Sequence, residues 1–148
     1  MLNRLAVTGI WVKDQNEALR FYTEKLGFEI RADVTQGDYR WISVGLKSQP
    51  EFEIGLSALK PNGMLTADDV QMLTKLVEAG KLGHGVWKTD DCQTTYEELK
   101  AKGVEFVQPP TDRPYGTIEA VFKDNSGNIM VLSQDKPYRT MMQADTEA

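Results

Sequence analysis

The sequence predicts an α+β protein built from two βαβββ modules in one chain, and three observations carry that reading. Two stretches of about 50 residues repeat one order of signals, the length range of an internal structural repeat. Each holds a helical run between an Asp and a Gly. Each continues into extended segments broken by Gly, Asn, Asp or Pro.

The first copy opens with the apolar stretch Leu5 to Val12, then Lys13-Asp14 and the helical run Glu17 to Leu26. It stops at Gly27, before Phe28-Glu29-Ile30. The second opens with Gly83 to Thr89, then Asp90-Asp91 and the run Thr95 to Lys102, and stops at Gly103 before Val104-Glu105-Phe106. An Asp accepts from the free amides that begin a helix, and a Gly ends one in a left-handed conformation costly for other residues. Ala18, Leu19, Tyr22 and Leu26 form an apolar stripe at three- and four-residue spacings, with Tyr96 and Leu99 a shorter one. Both stripes read as core. Extended segments follow at Tyr39 to Val44 and Phe52 to Leu56, and again at Ile118 to Lys123 and Ile129 to Ser133. Asp124 to Asn128 reads as a tight turn with a positive-φ glycine and structural asparagines.

Module one therefore covers about residues 3–57 and module two about 81–135. Between them, about 58–80 reads as a helical linker: Lys60-Pro-Asn-Gly63 is a turn and Thr66 to Asp69 caps a helix from Val70 to Glu78. The tail 138–148 has no sustained periodicity and reads as frayed.

The chain has 148 residues, 41% hydrophobic and 26% charged, an ordinary globular composition. A formal charge of -5 leaves no cationic excess for phosphates, so no nucleic-acid partner is expected. No run approaches the roughly 20 apolar residues of a membrane span, so no membrane partner is expected and a cytoplasmic location is. One cysteine, Cys92, excludes an internal disulfide. It sits at a helix start, where the macrodipole could lower its thiol pKa, although a structural role is favoured.

The openings Val12-Lys-Asp-Gln-Asn-Glu-Ala-Leu-Arg-Phe-Tyr-Thr-Glu-Lys-Leu-Gly-Phe28 and the stretch Tyr115 to Asn128 resemble the vicinal-oxygen-chelate superfamily of glyoxalases, bleomycin-resistance proteins and extradiol dioxygenases. The resemblance spans about residues 3 to 135 and implies paired curled mixed sheets, the glyoxalase-like fold. It further implies that modules enclose cavities, pairing within a chain or across a homodimer, and a homodimer is expected. Metal-using members gather one side chain from the first strand and one from the last strand of each module. Carried over, those positions are Val7, His84, Glu53 and Val131. Only His84 and Glu53 could coordinate, so no cofactor is favoured and at most a weak divalent ion is expected. Glu51 is the alternative to Glu53.

Strand alternation sends Gly9 and Trp11 inward with Val7, and Val86 and Lys88 inward with His84. With Glu53, Trp41 and the loop residue Tyr115, the candidate ligand-binding set is Trp11, Trp41, Glu53, His84, Lys88 and Tyr115. Aromatic walls with a few polar groups suit a planar or aromatic small molecule. The expected function is metal-free binding resembling the bleomycin-resistance members. The alternatives are a metal-dependent lyase, isomerase or dioxygenase using His84 and Glu53, and an interaction module burying its indoles in a dimer.

Overall fold

The computed structural model describes residues 1–137, with His84 described by its main chain only; the tail expectation falls outside the described residues. The chain divides into two compact units, residues 1–82 with 124–128, and residues 83–123 with the chain from 129 onward. The first contains β1 (Val7–Val12), α1 (Gln15–Arg20) running into a π-helical turn (Phe21–Lys25), β2 (Glu29–Gln36), β3 (Tyr39–Gly45), β4 (Glu53–Ala58) and α2 (Ala67–Glu78). The second contains β5 (Gly83–Lys88), α3 (Cys92–Ala101), β6 (Glu105–Arg113), β7 (Thr117–Lys123) and β8 (Ile129–Asp135). Each is a four-stranded mixed sheet, ordered β1-β4-β3-β2 and β5-β8-β7-β6, with the first strand parallel to the last and the other pairs antiparallel. The two βαβββ modules expected from the repeat are present.

Local chemistry sets the helix limits. Asp14 Oδ1 accepts from the Glu17 amide and Asp91 Oδ1 from the Thr94 amide, both at 2.8 Å. Gly27 and Gly103 close the two helices at φ of +75° and +85°. Thr66 and Asp69 form a reciprocal capping box on α2. Ile10, Val12, Ile42, Val44, Ile54 and Leu56 alternate onto one face of the first sheet and pack with Ala18, Phe21, Tyr22 and Phe28 as its core. In the second, Ala120, Phe122, Met130 and Leu132 do the same. No described helix is long and apolar enough to cross a membrane.

Two strands exceed the sequence expectation. β2 runs on to Gln36, and β6 runs through Pro109 and Pro110 to Arg113. β6 is an edge strand, where a missing N–H need not break a ladder, and its register shifts beside those prolines.

The turn Asp124 to Asn128 belongs to the first unit. Asp124 Oδ1 accepts from the amides of Ser126, Gly127 and Asn128, each at 2.9 Å. Its Oδ2 accepts from the Tyr22 hydroxyl at 2.9 Å and from Asn128 Nδ2 at 2.8 Å. Asn128 Nδ2 also donates to the Trp11 carbonyl at 2.8 Å, tying the turn to the end of β1. Gly127 takes φ of +111°, and a Cβ there would lie 2.5 Å from the Val77 carbonyl oxygen, so the approach to α2 requires glycine.

Candidate functional site

The site is built on the face of the first sheet opposite its core. In β1, Ile10 and Val12 are buried, so alternation places Val7, Gly9 and Trp11 on the other face. Register pairs Val7 with Glu53, Gly9 with Gly55 and Trp11 with Ser57. β3 adds Tyr39, Trp41 and Ser43 to that face, since Ser43 pairs with Gly55. Trp41 lies flat across Gly55: a Cβ there would meet the indole Cη2 at 2.7 Å. Glycine is what lets the ring rest on the sheet.

β3 and β4 are in register only at Ser43 with Gly55 and Val44 with Ile54, after which the strands separate. Carbonyls freed by such a split need donors. Gln15, the first residue of α1, supplies them: its Nε2 donates to the Arg40 carbonyl at 3.1 Å and the Leu56 carbonyl at 2.8 Å. A cavity of about 430 Å3 opens here, lined by Trp11, Trp41, Tyr39, Gln15, Ser57 and Met64 among others. Among the described residues neither the Trp11 nor the Trp41 indole N–H has an acceptor.

The charges at the rim are largely engaged. Arg40 holds Asp33 through two bonds of 2.9 Å and donates to Asn16 Oδ1 at 2.6 Å. The guanidinium keeps the Asp33 carboxyl below its usual range, and Asp33 raises Arg40 in return. Lys60 Nζ donates to the Asp38 carbonyl. Asn62 Oδ1 accepts from the Met64 and Leu65 amides, fixing the loop that presents Met64 at the mouth.

The chain matches the family described as Glyoxalase/Bleomycin resistance protein/Dioxygenase superfamily over residues 4–132. The chain belongs to this superfamily. A relative in Bacillus subtilis (strain 168), the uncharacterised protein YurT, is 39% identical over 132 residues, covering 88% of this chain and 98% of its own. Among solved structures, UcmS2 superposes with a TM-score of 0.86 at 42% identity, covering 91% of this chain and 100% of that one. TnmS3, an antibiotic binding protein from Streptomyces sp. CB03234, superposes at 0.71 with 26% identity, covering 91% and 98%.

The superfamily's metal arrangement does not map simply onto these strands. Lys88 pairs with Ser133 as Trp11 pairs with Ser57, so the counterpart of Glu53 is Ile129, not the expected Val131. β5 also has a bulge between Gly83 and Val86, with Gly85 at φ of +78°. The same bulge interrupts the alternation that was to set His84 with Val86 and Lys88, and the His84 side chain lies outside the described residues. Val7 and Ile129 donate no lone pairs. Among the described residues no three His, Cys, Asp or Glu side chains gather as a metal site. The described donors do not fit the four-ligand pattern.

Of the candidate ligand residues, Trp11 and Trp41 meet in the cavity. Glu53 lies on the same sheet face beside Val7 and does not line it. Glu51, expected on the same strand, precedes β4 in an exposed turn, its carbonyl bonded by Arg4 at 2.8 Å. Lys88 lies in the second unit, bonded to Asp135 at 2.7 Å and Ser133 Oγ at 3.2 Å. Tyr115 is an exposed turn residue there, and its hydroxyl donates to Glu119 at 2.8 Å, a bond that raises its pKa. Cys92 is buried, and burial pushes its thiol up, against the lowering considered from its helix position.

The sequence reading missed Gln15, Tyr39, Ser57 and Met64. Tyr39 was recoverable as the residue two before Trp41, and Ser57 by extending the pairing of Val7 with Glu53. Gln15 carried no signal, because only the separation of two strands gives its amide a task.

Proposed function

We propose that this protein binds a planar aromatic small molecule in the first unit's cavity, without a metal ion and without covalent chemistry. Two indoles on one sheet face, lining a cavity of about 430 Å3 with their N–H groups unengaged among the described residues, carry the reading. Rings offset-stack or meet edge to face, each such contact contributing about 0.5–1.5 kcal/mol beyond the area buried. The rim charges are largely engaged with protein partners, which favours a ligand with little net charge. The likeness to TnmS3, an antibiotic binding protein, supports the same class of activity. The reading includes a homodimer, which light scattering checks through the solution mass.

Calorimetric titration with planar polycyclic aromatics and with saturated compounds of equal size tests it. The aromatics bind and the saturated compounds do not. Trp11→Ala and Trp41→Ala each weaken binding about tenfold, the equivalent of one ring contact. Equal affinity for the two sets, or unchanged affinity in both variants, sinks the reading.

A further inference from the structure

Gln15 is a polar group of the cavity whose orientation is fixed from within the protein. Carboxamide nitrogen and oxygen look alike by shape and are told apart by partners. Here both neighbours of one end are main-chain carbonyls, of Arg40 at 3.1 Å and Leu56 at 2.8 Å, and carbonyls accept only. That end is therefore the NH2. The amide cannot flip without setting its oxygen against two others. Both of its N–H bonds are spent on the sheet, so the oxygen Oε1 is the part left for anything entering the cavity that Gln15 lines. Among the described residues Oε1 accepts no hydrogen bond. Water satisfies it when the cavity is free; a ligand that displaces the water and brings no donor leaves a part-buried acceptor unpaired.

We propose that Gln15 is a specificity-determining residue, whose Oε1 accepts a hydrogen bond from an N–H or O–H at the edge of the aromatic ligand. The inference rests on the aromatic-binding reading above and adds a polarity to it. The favoured ligand presents a donor beside its ring, as phenols, anilines and pyrrole-type heterocycles do, and an analogue carrying methyl in place of that hydrogen binds more weakly. The oxygen end of a fixed amide discriminates in this way because it cannot rotate to offer its nitrogen instead.

Indole and 1-methylindole differ by this one donor and supply the test. By calorimetry the protein should bind indole about two- to tenfold more tightly, the range of one net hydrogen bond. Gln15→Met should bring the two affinities together. The unaltered chain gives a second readout in case the variant fails to fold. The side-chain carboxamide resonances of Gln15 should shift with indole and not with 1-methylindole. Equal affinities with unchanged resonances overturn the role of Gln15 and leave the aromatic cavity standing. Failure of both compounds to bind removes the aromatic reading and this inference together.

Discussion

The two units share strand order and helix placement and differ in how their central strands meet. β3 and β4 part after Ser43 and Gly55, whereas β7 and β8 stay in register from Thr117 with Asp135 through Lys123 with Ile129. Equivalent positions follow from the registers. Trp11 corresponds to Lys88, Trp41 to Glu119 and Gly55 to Val131, while Gln15 and Tyr22 correspond by position after the capping aspartate to Cys92 and Leu99. The first unit thus carries indoles and a glycine where the second carries an ion-paired lysine, a largely buried glutamate and a valine. One backbone plan carries an aromatic cavity in the first unit and a polar, ion-paired face at the equivalent positions of the second.

Four substitutions probe that contrast, beginning with the largest effect. Tyr22→Phe removes a buried hydroxyl from Asp124, which anchors the turn packed behind the first sheet. A loss of about 2 kcal/mol by denaturant unfolding is expected, within the range for an unsatisfied buried partner. Burial, reinforced by Asp124, raises the Tyr22 pKa well above 10.0. The folded state therefore keeps its proton where the unfolded state has lost it, and stability is undiminished below about pH 10 and falls as pH rises further. Tyr22→Phe should lessen that alkaline decline. An identical alkaline slope in both proteins would remove the assigned role of this hydroxyl.

Gly55→Val installs the second unit's residue in the first. Its Cβ falls 2.7 Å from the Trp41 ring and must displace the indole. Aromatic binding should weaken about tenfold, near 1.4 kcal/mol, while Val131→Gly leaves it unchanged. Equal losses in the two variants would mean that the units do not divide the labour as described. Lys88→Ala should matter least. Both partners of its ion pair with Asp135 are about half exposed, so the change in stability stays within about 1 kcal/mol, and ligand affinity in the first unit is unaffected. A larger loss of binding would place Lys88 in the site.

Much of the fold was legible because its signals are local. Asp14, Asp91, Thr66, Gly27 and Gly103 mark helix limits through bonds to residues three or four away, and alternation in β1 already separated Ile10 and Val12 from Trp11. The reach of β6 across two prolines was not legible, because their cost depends on the strand lying at an edge. Trp11 and Trp41 could be named from parity. Their cavity could not, nor could the bulge at Gly85 in β5.

By itself the sequence determined the repeat, the two βαβββ modules and the faces on which most strand side chains fall, since capping and alternation act over a few residues. Tertiary structure alone decided that β3 and β4 pair at only two positions while β7 and β8 pair along their length, that Gln15 stands between Arg40 and Leu56, and that Asp124 reaches Tyr22. Those outcomes turn on hydrogen bonds between residues 25 to 102 positions apart, whose partners exist only once the chain has folded.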